Sequence, residues 1–118
     1  MFDLGEALAA YEGDVGAGEE LLAWFRGTRH PSDFPAAQRE AEGSGLLIVW
    51  PDGTLWKYES TPYPVKLPPQ QLAIGCGRDF AMAAMYLGST AVEAVKVASA
   101  LDCGCGNGID VLTFRRAT

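Results

Sequence analysis

The sequence predicts an α+β fold in which antiparallel strands pack with helices. Three stretches carry that expectation: a strand-like run leading into a helical pattern between Ala7 and Arg26, a hairpin pattern between Leu46 and Glu59, and two successive helical patterns between Asp79 and Leu101. With 118 residues, 48% of them hydrophobic, the chain is sized for a single domain spanning residues 1–118.

Each element has a local cause. Ala7 to Glu12 reads as a strand, Gly13 to Gly18 as a glycine-rich turn, and Glu19 to Arg26 as a helix whose apolar surface comes from Leu21, Leu22, Trp24 and Phe25. The stretch from His30 to Gly45 is rich in charge, proline and alanine, and from about Pro35 to Glu42 it is compatible with a short helix. Leu46 to Trp50 and Thr54 to Glu59 flank a Pro51-Asp52-Gly53 turn, and alternation sets Thr54, Trp56 and Tyr58 on the face opposite Leu55, Lys57 and Glu59. Thr61 to Gln71 contains four prolines and reads as an extended connection.

The segment from Leu72 to Phe114 is the most informative. Leu72-Ala73-Ile74 is a short apolar run stopped by Gly75-Cys76-Gly77, which suits a buried strand and a close turn. Asp79 is placed to cap a helix with Phe80, Ala83, Ala84 and Leu87 on its apolar side, ended by Gly88. Thr90 and Glu93 have capping-box spacing, and Val92, Val95, Leu101 and the intervening alanines form the stripe of a second helix from about Ala91 to Leu101. After Asp102-Cys103-Gly104-Cys105-Gly106-Asn107-Gly108, the run Ile109 to Phe114 reads as a closing strand.

Composition excludes several classes. A net charge of −6 with no basic block argues against nucleic acid and against an anionic membrane surface. There is no apolar run of about 18 residues and no basic signal region after Met1, so a cytoplasmic location is expected, with no membrane role.

In order and spacing, Gly75-Cys76-Gly77, Asp102-Cys103-Gly104-Cys105-Gly106 and Ile109-Asp110-Val111 resemble the C-terminal half of the proteasome β-subunit and HslV-like family, the N-terminal nucleophile hydrolases. In that family a strand leads into Gly-Ser-Gly, two antiparallel helices follow, and Asp-x-x-Ser-Gly-Gly leads to a strand beginning Ile-Asp-Val. The upstream strand, helix and hairpin extend the likeness, which implies a truncated proteasome-like, layered Ntn-hydrolase fold. It also implies that Cys76 and Cys105 stand at two serine positions near the family's nucleophile and that Asp102 is a relic of a supporting carboxylate, although Asp102 reads equally well as a helix-end or turn carboxylate. In a reducing cytosol the cysteines are expected to be free thiols.

Family members use the first residue of the mature chain, usually threonine, as nucleophile, with its own amine as base. This chain begins Met1-Phe2-Asp3, and its first strand matches one well downstream of the catalytic strand, so the catalytic hairpin is expected to be missing. Gly27-Thr28, Gly43-Ser44, Gly53-Thr54 and Gly75-Cys76 each place a hydroxyl or thiol after glycine, but none precedes enough strand to rebuild the site, and all read as turn glycines. Absent central strands would leave sheet edges and apolar faces uncovered, so the resemblance implies a protein partner or a homo-oligomer.

Cys76, Cys103, Cys105 and His30 together supply donors of the kind zinc takes. Cys-x-Cys is not the usual Cys-x-x-Cys grip, however, and His30 sits in a loop beside Pro31, so no metal or cofactor is expected. Three functions follow from the sequence. The chain is a non-catalytic proteasome-like protein acting by protein binding, such as a phage or mobile-element modulator of a host protein; or it is the C-terminal part of a threonine-type peptidase that needs an N-terminal fragment; or it is a cysteine-based zinc or thiol module. The first is the one the sequence favours.

Overall fold

A computed structural model describes residues 1–35, 44–68 and 72–102. These fall into two compact units, one within the first 68 residues and one within residues 72–102.

The first unit is an antiparallel meander of five strands in sequential order: β1 (Phe2–Asp3), β2 (Leu8–Glu12), β3 (Gly45–Val49), β4 (Leu55–Tyr58) and β5 (Val65–Leu67). A helix, α1 (Val15–Arg26), leaves β2 and packs on one face. The pleat decides which residues meet it: Ala9, Ile48 and Trp56 share one row of the register, and Leu46 pairs with Tyr58 in the next. Leu21, Phe25, Leu46 and Ile48 are fully buried there, each contributing about 1.5–3 kcal/mol of transfer free energy. On the opposite face Leu8, Val49, Leu55 and Leu67 form a second apolar row, and Leu8 and Leu55 are buried. Burial on both faces is why β3 reads as the unbroken apolar run Leu46-Leu47-Ile48-Val49.

Two boundaries differ from expectation. Residues 13–18 are not all turn: Asp14 caps α1 by accepting the Ala17 N–H at 2.9 Å, so the helix starts at Val15 and includes Gly16 and Gly18. Gly18 is there for close approach, since a Cβ would lie 2.3 Å from the Tyr11 ring. The proline-rich connection also contains β5, paired with β4. Proline is tolerated because Pro64 and Pro68 flank this edge strand and lie outside it. The β3–β4 hairpin forms as expected: Asp52 accepts the Thr54 N–H and hydroxyl, which holds its carboxyl below the usual range.

The second unit is a helical hairpin, α2 (Arg78–Tyr86) and α3 (Ala91–Leu101). Residues 72–74 form no strand, lacking any ladder partner among the described residues. Asp79 lies in the first turn of α2 and does not cap it; the N-cap position is Gly77, and Arg78 and Asp79 form an exposed ion pair. The link between helices follows expectation closely. Gly88 takes φ +102° after α2, with the Gly88 N–H on the Met85 carbonyl and the Ser89 N–H on the Ala84 carbonyl, and Thr90 and Glu93 close a capping box on α3.

The buried faces are a correction. The helices meet through Ala81 and Met85 on α2 and Ala94 and Ala98 on α3, with Met82, Ala84 and Ala73 beside them. Phe80, Leu87, Val95 and Leu101, expected inward, are exposed, Leu87 to 86% and Tyr86 beside it to 90%. Small side chains at i, i+4 let two helices approach closely, and the bulky residues are displaced to the outside. The suggested helix beyond Pro35 and the closing strand from Ile109 lie outside the described residues. Among the described residues no helix is long and apolar enough to cross a membrane.

Candidate functional site

On the helix-covered side of the sheet, Phe25, Ile48, Trp50, Trp56, Tyr58 and Pro64 line a cavity of about 210 Å³. It arises from the meander's width: α1 packs over β2 and β3, leaving Trp56 and Tyr58 of β4 half-buried at its side. Register places Trp56 opposite Ile48 and Tyr58 opposite Leu46, so the lining strand residues share one pleat face.

The rings brace one another. Phe25 lies 6.3 Å from Trp50 and 5.8 Å from Tyr58, and Trp24 packs edge-on against Tyr58 at 5.2 Å and Phe34 at 5.0 Å. The Trp24 indole donates to the His30 carbonyl at 2.9 Å, tying the end of α1 to the entry of the 3-10 turn Pro31–Asp33.

Two cations sit over rings of the lining. The Arg29 guanidinium is 3.8 Å from the Phe25 centroid and 5.9 Å from that of Trp50, and the Lys66 ammonium is 5.8 Å from that of Trp56. Arg29 has φ +57°, the left-handed region, and is held by Nε donation to the Phe25 carbonyl and by an ion pair with Glu6. Its charge reaches Tyr58: burial pushes that phenol's pKa up, and the nearby guanidinium works against the rise.

The sequence-derived site residues are not gathered here. Cys76 is exposed in the turn before α2, and Asp102 is the C-cap residue of α3, its N–H donating to the Ala98 carbonyl. Cys103 and Cys105 lie outside the described residues. His30 belongs to the other unit, where its Nδ1 is 2.6 Å from the Ser32 hydroxyl and accepts the Ser32 N–H at 3.2 Å. That is a nucleophile–base distance, but both contacts come from one residue and cap one exposed turn. Among the described residues no three His, Cys, Asp or Glu side chains cluster to hold a metal.

Of the three tryptophans, Trp24 is buried in the core, whereas Trp50 and Trp56 are half-buried. The signal for the cavity was the parity of Trp56 and Tyr58 on one strand face; which of them α1 covers is set by packing, and its Trp24 and Phe25 rings reach Tyr58. No family model matches the chain, and a comparison with curated proteins finds no match.

Proposed function

We propose that this protein works without catalysis, by binding another protein through the aromatic cavity beside α1. The cavity's size carries this reading. About 150 Å³ suffices for a benzene-sized group, whereas sites for small molecules and cofactors run to about 300–1,000 Å³. At about 210 Å³ the cavity suits one apolar side chain from a partner and little more. Its aromatic lining is the composition that anchors such contacts, and it contains no nucleophile with a base beside it.

The proteasome-like relationship is retained as part of the proposal. The succession β2, α1, the β3–β4 hairpin, Gly75-Cys76-Gly77 and then two antiparallel helices supports it. In that reading Cys76, Asp102 and Cys105 are inherited positions that no longer serve a reaction.

Two measurements test the function together. Fluorogenic peptides incubated with the protein are expected to show no hydrolysis above buffer. Quantitative affinity capture should recover a protein with the native chain that Trp56→Ala fails to retain. Turnover that tracks the purified chain, or capture indifferent to Trp56, would contradict the proposal.

A further inference from the structure

We infer that the partner segment is acidic: an apolar side chain enters the cavity while a carboxylate adjacent to it in sequence meets Arg29 and Lys66. This rests on the protein-binding reading and adds the chemistry of the partner.

The inference comes from where the positive charge sits. The chain carries 9 basic residues against 15 acidic ones, so its average field repels acidic peptides. Against that background, two of the cations sit over rings of one small cavity, Arg29 over Phe25 and Trp50 and Lys66 over Trp56. They come from opposite sides in the chain, one after α1 and one on the edge strand β5, so the pairing is a product of the fold. Arg29 is moreover held in a backbone conformation that non-glycine residues seldom adopt, and its Nε donation to the Phe25 carbonyl fixes the guanidinium against the Phe25 ring.

The neighbouring carboxylates leave room for an incoming anion. Glu6 pairs with Arg29 but is itself half-exposed, so a ligand carboxylate can share the guanidinium's remaining donors. Asp52 acts on Lys66 only through space, and its carboxyl is engaged by Thr54. Arg29, about one-third exposed, lies beside an apolar lining with few competing polar groups, which strengthens a charge-assisted contact there relative to one in open water, while the exposed Lys66 adds a salt-screened attraction.

The experiment uses the full chain and three probes: Ac-Glu-Leu-Phe-Glu-NH2, its Gln counterpart and its Lys counterpart, titrated against tryptophan fluorescence. The acidic peptide is expected to bind about tenfold more tightly than the Gln peptide, with an advantage that shrinks as salt rises. The Lys peptide should bind weakest. Arg29→Gln with Lys66→Gln should erase the difference between acidic and neutral peptides while circular dichroism stays unchanged. Because Arg29 is tied to the fold, Lys66→Gln alone, on an exposed strand, must reduce the preference as well. Equal binding of all three peptides would overturn the acidic partner yet leave the peptide-binding cavity standing. Binding of none would overturn both.

Discussion

At the scale of single residues, Gly18 and Lys57 show how much depends on one side chain. A glycine inside a helix costs about 1 kcal/mol relative to alanine, so Gly18→Ala would be stabilising on propensity alone. The added Cβ, however, would lie 2.3–2.7 Å from Tyr11 ring atoms, and that ring is fixed by stacking on Phe2 and by donating to Glu19. Overpacking costs about 1–3 kcal/mol and outweighs the gain, so Gly18→Ala is expected to lower the urea midpoint. Lys57 reaches from β4 to Glu12 on β2 at 2.7 Å, with Glu59 at 3.4 Å. Burial, the largest influence, lowers its pKa, but the hydrogen bond and charge of Glu12, with help from Glu59, outweigh it and the net shift is upward. A raised folded value means that the stabilisation is complete below the unfolded lysine pKa of about 10.4 and is lost as pH rises through the folded one. Lys57→Met should therefore cost about 1–2 kcal/mol at neutral pH by urea denaturation, because it removes the charge-assisted hydrogen bond that Lys57 donates to half-buried Glu12. The gap between native and variant chains should close at strongly alkaline pH.

At the scale of elements, the α2–α3 link was the part most legible in advance. Gly88 and the Thr90–Glu93 box are local devices, set by residues within one turn of each other, and they form as the sequence dictates. Thr90→Ala is expected to cost about 1 kcal/mol, seen as faster amide hydrogen exchange in the first turn of α3. Glu93 gives that turn a pH signature. Chiefly the Thr90 backbone N–H, then its hydroxyl, lower the carboxyl's pKa, so the cap's contribution is present above the unfolded glutamate range and fades as pH falls through the folded value. The hairpin around Pro51-Asp52-Gly53 was legible for the same reason, its turn residues and alternation being adjacent in sequence. What could not be read was anything set by packing between distant residues. The faces of α2 and α3 close on Ala81, Ala94 and Ala98 together with Met85, small residues permitting close approach, although Phe80 and Val95 are far more hydrophobic than alanine. The start of α1 is hidden from the sequence because Gly18 looks like a helix breaker until Tyr11 is folded against it. β5 was hidden by its flanking prolines, and residues 72–74, strand-like in composition, have no ladder to join among the described residues.

At the scale of the molecule, the functional claim rests on the cavity, and here the sequence was only half legible. It placed Trp56 and Tyr58 on one face of the hairpin, but their meeting with Phe25 and Trp50, and the convergence of Arg29 and Lys66 on the same rings, depends on contacts between elements. The most direct measurement is the proton–nitrogen spectrum of the indole groups during titration with Ac-Glu-Leu-Phe-Glu-NH2. Trp24 is an internal reference, because its indole N–H is tied to the His30 carbonyl and its ring is buried. Saturable shifts of the Trp50 and Trp56 indoles, with Trp24 much less affected, are the predicted result. Indoles that do not move while backbone amides of residues 72–102 shift would place recognition elsewhere and contradict the account.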